Sequence, residues 1–374
     1  MTIIHTPDQT HSLANVIRQA VRQVAPNWFA ATMGTGAVSL ILGHFVDLPF
    51  LYQVGQTLWL VNIALFALFS GLYCAQWIAH VEQARTIADH PVMSLALGTI
   101  PMGLATIGNG FVLFGPGLLG PVAIEIAQGL WWFVCVLSLA CGLGVPFLMF
   151  TRQSHSHEQM TGMWLLPVVA AEVAAVSGIL LAAHLPLTDQ AGVLLVSLVL
   201  WACSVPLALG LVVVLVVRMI LHKLPPANVA PTCWLALGPI GTGALGMALF
   251  SQIAPAALAT GDLAPLAPAI AGASLLLATL LWGYGLWWVG LAGLITARYF
   301  TAPVPFNLGW WGYVFPLGVF TLATLALGEI WTSGTLQVLG LGLVGVLCLI
   351  WLTVALRSLA GVWRACVLIA QQQQ

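Results

Sequence analysis

The chain has 374 residues, of which 61% are hydrophobic and only 5% charged, and its formal net charge is -1. A soluble domain carries about a quarter charged residues, so this composition excludes an ordinary soluble globule, and the near-neutral balance excludes an electrostatic nucleic-acid binder. With a mean hydropathy of +1.04, the sequence reads as an all-α polytopic membrane protein.

Residues 1–25 include His5, Asp8, His11, Arg18 and Arg22 but no long apolar core before a cleavage site, so no removable signal peptide is expected. Leu13, Val16, Ile17, Ala20, Val21 and Val24 recur at helical spacing and predict a short amphipathic helix lying on the membrane surface. A transmembrane domain then occupies 26–365, with 366–374 as a C-terminal tail. Ten spans of about 20 residues or more fit within it, at 26–45, 55–79, 92–113, 121–150, 160–183, 190–221, 231–254, 266–298, 308–328 and 335–365.

The basic residues test that count. Arg18, Arg22, Arg85, Arg152, Arg218, Lys223, Arg298, Arg357 and Arg364 all fall on one side of a ten-span chain, whereas the opposite loops hold Asp47, Asp189 and Asp262, with Glu329 at the end of span 9. By the positive-inside rule both termini are expected in the cytoplasm of a multi-pass cell membrane protein.

A repeat divides the spans into two classes. Spans 3, 5, 7 and 9 carry Pro101, Pro167, Pro239 and Pro316, and span 1 carries Gly34 and Gly36 at the corresponding depth. Proline removes a backbone donor and clashes one turn back, and glycine weakens a helix, so each odd span is expected to be kinked there. Small residues let helices approach closely while bulky apolar ones suit lipid. The predicted architecture is therefore five helical hairpins in a quasi-fivefold arrangement, with kinked odd helices inside, around a central pore, and even helices outside.

Charge inside a bilayer is a functional candidate by default. Glu172 in span 5 is the most conspicuous such group, read either as a pathway residue that changes protonation or as a neutral acid bonded to a neighbouring helix; Glu125 reads as a solvated helix-end residue. No Lys or Arg lies at mid-depth, so a permeant anion would be handled by hydroxyls, amides and helix-end dipoles. Thr35, Thr106, Asn109 and Thr242 are the foremost candidates, with Thr32, Ser39, Thr99, Ser177, Thr321 and Thr324 behind them. Phe315, beside Pro316, is a natural plug by size and dewetting. The seven cysteines read as buried apolar residues, and His155, His157 and Glu158 as an ordinary polar loop in preference to a metal site. No catalytic motif, metal site or cofactor fingerprint is present in a usable context.

Asn27-Trp28-Phe29 leading into Met33-Gly34-Thr35-Gly36-Ala37-Val38-Ser39, Gly238-Pro239-Ile240-Gly241, and Trp310-Trp311-Gly312-Tyr313-Val314-Phe315-Pro316 resemble the tellurite-resistance/dicarboxylate transporter family. Its members include bacterial TehA, fungal malate permeases, yeast sulfite pumps and plant guard-cell slow anion channels. The resemblance implies a homotrimer with one pore per subunit, kinked inner helices at Pro101, Pro167, Pro239 and Pro316, and Phe315 as the gate. It implies transport of small anions, a C4-dicarboxylate such as malate, or sulfite. Glu172 departs from a pure anion pathway and points to a proton-coupled carrier as the alternative. A tellurite-linked chloride or nitrate channel and a non-transporting membrane sensor are the further readings.

Overall fold

The computed structural model describes residues 9–259 and 262–371, with side chains from residue 15 to residue 365 apart from 260 and 261. Among these residues there is no strand, and the helices are α1 (Gln9–Gln23), α2 (Phe29–Gly43), α3 (Pro49–Ala79), α4 (Val81–Asp89), α5 (Thr99–Leu113), α6 (Gly115–Leu119), α7 (Val122–Thr151), α8 (Leu166–Ala182), α9 (Leu187–His222), α10 (Leu237–Ala257), α11 (Ala267–Tyr299), α12 (Val314–Ile330) and α13 (Gly334–Gln371). Nine helical segments among the described residues are long and apolar enough to cross a bilayer. The tenth span, α2 with the turn before it, is shorter, and its position in the assembly makes it one of the inner set.

Between 78 and 94% of the apolar stretch is buried in α5, α8, α10 and α12, against 11 to 33% in α3, α7, α9, α11 and α13. The inner helices contact one another in chain order, α2 to α5 to α8 to α10 to α12, and α12 returns to α2, so five helices close a ring. Each inner helix packs on the outer helix that follows it. Small residues permit this spacing: a Cβ on Gly241 of α10 would lie 2.9 Å from the Phe320 backbone nitrogen of α12.

A girdle of indoles fixes the ring. Trp59 on α3 donates to the Ile107 carbonyl on α5 at 3.1 Å, Trp131 on α7 to the Ala174 carbonyl on α8 at 2.9 Å, and Trp201 on α9 to the Gly243 carbonyl on α10 at 3.2 Å. Trp282 on α11 donates to Thr324 Oγ1 on α12 at 3.0 Å, and Trp351 on α13 to Thr35 Oγ1 on α2 at 3.2 Å. Every outer helix therefore reaches past its hairpin partner to the next inner helix. In an apolar surround these indole donors have no water to fall back on, which makes the pairings directional as well as cohesive.

The inner helices share a second feature. Each begins with a 3-10 turn, at Pro26–Trp28, Ser94–Gly98, Gly162–Leu165, Ala227–Trp234 and Leu308–Tyr313. These turns touch their neighbours and form a closed collar at the end of the ring that carries the basic residues. Pro101, Pro167, Pro239 and Pro316 fall in the first turn of the α-segment that follows. There a missing N–H leaves few carbonyls unpaired, so the expected breaks take the form of a change from 3-10 to α nearer the basic end than the midplane. Gly34 and Gly36 do not break α2, which is continuous through both. They admit neighbours instead: a Cβ on Gly34 would press on Trp311, and one on Gly36 would collide with Thr106.

The predicted amphipathic helix is present as α1, and Gln76 Nε2 anchors its end through the Arg22 and Val24 carbonyls at 3.2 and 3.0 Å. At the other terminus α13 continues as helix to Gln371, so the described part of the predicted 366–374 tail extends the last helix. His5 and Asp8 lie outside the described residues, as do 372–374.

Candidate transport pathway

The collar encloses a vestibule of about 170 Å³ at the basic end of the ring. Its walls come from all five turns and the residues that flank them, many of them three apart: Asn27, Ala30 and Met33; Met93, Ala96 and Thr99; Met163 and Leu166; Thr232 and Leu235; Gly309 and Gly312, with Val92, Asn228, Val229, Pro231, Asn307 and Leu308 beside them. In a 3-10 turn residues three apart eclipse one another, so Gly309 and Gly312 share one column, and Thr232 and Leu235 at the end of their turn share another. The polar lining consists of amides and hydroxyls, and it contains no charged side chain. All five inner helices begin here, so five positive dipole ends converge on a cavity without a cation. Asn27 adds an Oδ1 that is buried without a partner.

One step of three beyond the vestibule brings Gly312 to Phe315 and Leu235 to Gly238. Phe315 is only 3% exposed within the core, three residues beyond the vestibule-lining Gly312. Phe320, further along α12, is turned outward: it stacks on Trp282 of α11 with ring centroids 6.2 Å apart and interplanar angle 5°. Phe320 thus belongs to the packing between α12 and α11.

Most of the polar candidates face other helices. Thr35 receives the girdle bond from Trp351. Thr106 Oγ1 donates to the Gly103 carbonyl at 2.8 Å and accepts from Asn62 Nδ2 on α3 at 3.2 Å. Asn109 lines a crevice between α5, α7 and α8 with Leu130, Trp131 and Ser177. Thr32, Thr99, Ser177, Thr321 and Thr324 bond carbonyls on their own helices, as hydroxyls in membrane helices commonly do. Thr242 and Ser39 are the exceptions: they are 1% and 0% exposed, and neither Thr242 Oγ1 nor Ser39 Oγ has a partner.

Glu172 also turns away from the bore. It lies six residues from vestibule-lining Leu166, about 120° around the helix, and its Oε2 is 3.2 Å from Ser204 Oγ on outer helix α9. The same Ser204 hydroxyl donates to the Val168 carbonyl at 2.8 Å. A hydroxyl has one proton, so Ser204 donates to the Val168 carbonyl or to Glu172 Oε2 but not to both at once, and Glu172 Oε1 is buried without a partner. The Glu172 side chain is fully buried, a place where an unpaired charge is costly. One carboxyl oxygen thus contacts the neighbouring helix α9 while the other is left without a partner. Glu125 is an exposed residue in the first turn of α7.

Comparison with known proteins gives this ring a family. A model described as SLAC1, voltage-dependent anion channel, matches residues 23–359. The chain belongs to that family. The sulfite efflux pump SSU1 of Arthroderma otae is 35% identical over 343 residues, 90% of either chain. An uncharacterised transporter of Methanocaldococcus jannaschii is 28% identical over 92% of this chain and 96% of its own, and the malic acid transport protein of Schizosaccharomyces pombe 23% over 90% and 78%. These matches agree with the family resemblance read from the span 1, 7 and 9 motifs and identify a multi-pass membrane protein of an anion channel and transporter family.

Several participants were not singled out from the sequence. Gly238 enters the sequence reading only within a motif, and most of the vestibule-lining residues only as members of spans 1, 3, 5, 7 and 9, although Asn27-Ala30-Met33 and Met93-Ala96-Thr99 already show a three-residue step. Every even span holds at least one tryptophan, Trp59, Trp131, Trp201, Trp282 and Trp351 among them, and that recurrence is the signal the sequence carries for the girdle.

Proposed function

We propose that this protein passes small oxyanions, sulfite foremost and malate as the second cargo, through the bore of its inner ring, with Phe315 as the plug. The observation that carries the reading is the closed ring of five parallel helices opening on an uncharged polar vestibule, in a chain 35% identical to a named sulfite efflux pump over 90% of both lengths. Five converging helix N-termini favour an anion at the vestibule without binding it as tightly as an arginine would, which suits entry and release. With the basic face cytoplasmic, as the positive-inside rule has it, the vestibule opens to the cytoplasm, and the electrochemical gradient of the cargo sets the direction of net movement. The setting is the plasma or inner membrane, and a homotrimer with one pore per subunit is the assembly the family resemblance suggests.

The test is anion-specific flux in liposomes holding the purified protein, with sulfite, malate, nitrate and chloride compared. Sulfite flux well above that of empty vesicles is the expected result. Vesicles as tight as protein-free ones to all four anions would overturn the reading in favour of a non-transporting membrane protein. A proton-coupled carrier working through Glu172 gains no support from the geometry, because that carboxyl is bonded to α9.

A further inference from the structure

We infer that α10 carries a cargo subsite just beyond the Phe315 plug, formed by the open space over Gly238 and the free hydroxyl of Thr242, and that it takes singly charged oxyanions. This rests on the transport reading above and adds where the ion pauses and which charge state passes.

Three observations converge on this place. First, Gly238 is buried, yet a Cβ built on it would meet no atom within 4 Å. A buried position with nothing in front of it faces an internal void, unlike Gly36, Gly98, Gly110, Gly178 and Gly241, where an added Cβ would strike a neighbouring helix. Secondly, Gly238 continues the vestibule column of Thr232 and Leu235, and the Gly238 N–H closes that turn on the Leu235 carbonyl at 3.0 Å. The void is therefore continuous in register with the vestibule, at the level of Phe315 on the adjoining helix. Thirdly, Thr242 lies one turn further on, about 40° round from Gly238, with its Oγ1 fully buried and unpartnered. Thr321 and Thr324 bond back to carbonyls four residues earlier; Thr242 leaves its donor available.

The other faces of α10 are occupied. A Cβ on Gly241 would press on α12, one on Gly243 on Val205 of α9 and Leu281 of α11, and one on Gly246 on Val176 of α8 and Trp201 of α9. The Gly238 and Thr242 face is what remains for the bore. A hydroxyl donor beside a space without a side chain suits a compact oxyanion that accepts one hydrogen bond while shedding part of its water. The desolvation penalty of an ion grows with the square of its charge, so a dianion costs roughly four times as much as a monoanion of the same size. No cation lines the vestibule, and the basic residues of the chain sit at span ends. The subsite therefore passes monoanions and rejects dianions, and sulfite and malate cross in their singly charged forms.

The experiment compares nitrate and sulfate, whose charges are fixed at neutral pH, in liposomes holding wild-type protein, Thr242→Val, Thr242→Ser and Gly238→Val. Wild type is expected to pass nitrate and exclude sulfate. Thr242→Val, equal in volume but without the donor, should lower nitrate flux by about tenfold, the worth of one hydrogen bond to an anion, and Thr242→Ser should restore it. Gly238→Val should block nitrate and leave the elution profile and melting temperature of the protein unchanged, because its side chain enters empty space. Wild-type nitrate flux in both Thr242→Val and Gly238→Val, or sulfate passing as fast as nitrate, would overturn the subsite while leaving the transport reading intact. A wild-type protein that passes no anion at all defeats that reading first and the subsite with it.

Discussion

The indole N–H of Trp351, on the last helix, donates to Thr35 Oγ1 on the first span across 3.2 Å and closes the girdle that the other four tryptophans begin. The pair joins residues 316 positions apart, at the seam where α12 returns to α2. His44 Nε2 and Glu329 Oε1, 3.0 Å apart, bridge the same two inner helices at the acidic end. Trp351→Phe should lower stability by about 1 kcal/mol, the net worth of a buried hydrogen bond, and Thr35→Val by a similar amount. Because each removes the same bond, the double variant should lose little more than either single one. Additive losses in detergent melting curves would show that the two residues act separately.

Phe315→Ala should raise sulfite and nitrate flux several-fold in liposomes and leave the girdle intact, since the outward stacking on Trp282 belongs to Phe320. Phe320→Ala is the control. It should lower the melting temperature by removing a fully buried ring without opening the bore. Unchanged flux in Phe315→Ala, with the protein still folded, would remove this residue as the plug.

Glu172→Gln should be nearly silent. A carboxyl oxygen that accepts from Ser204 is replaced by an amide oxygen that can do the same, so both flux and its dependence on an imposed pH gradient should match wild type. Glu172→Leu loses the bond and leaves Ser204 bonded only to Val168, for a cost of about 1 kcal/mol. Loss of gradient dependence in the Gln variant would instead establish proton coupling at this carboxyl.

The collar is predicted to be intolerant of added volume. A Cβ on Gly98 would collide with the Leu166 backbone carbonyl, at the join between the turn before α5 and the start of α8. Backbone cannot rotate away, so Gly98→Ala should cost about 3 kcal/mol and reduce the yield of folded protein. An Ala variant as stable as wild type, measured by melting in the same detergent, would mean that the collar does not pack as described.

Arg218 holds the rim beside the vestibule. Its Nε and Nη2 donate to the Glu158 carbonyl at 3.0 and 2.6 Å, and Nη1 to the Lys223 carbonyl at 2.6 Å. Lys223 has φ of 63° and ψ of -168°, backbone that glycine alone adopts easily. Lys223→Gly should therefore stabilise the protein by about 1 kcal/mol, and Arg218→Lys, which cannot reproduce the planar fork, should destabilise it by about 2 kcal/mol. Opposite signs in paired melting experiments are the expected outcome; a destabilised Lys223→Gly would mean that the lysine side chain makes up for its backbone.

The sequence by itself determined the membrane class, the ten spans to within a few residues, the one-sided basic face and the division into inner and outer helices. Hydropathy, charge asymmetry and small-residue content are sums over many positions, and such sums survive ignorance of contacts. Direction within a helix is another matter. Thr35, Thr106, Asn109, Glu172 and Thr242 all sit in inner helices, and only the packing decided that the first four meet Trp351, Asn62, the α5–α7–α8 crevice and Ser204 while Thr242 is left unclaimed. Likewise Gly238 and Gly241 are three residues apart in one motif, yet one fronts a void and the other touches α12. A helix offers every side chain a different neighbour each 100°, and which neighbour stands there is fixed only when the ring closes.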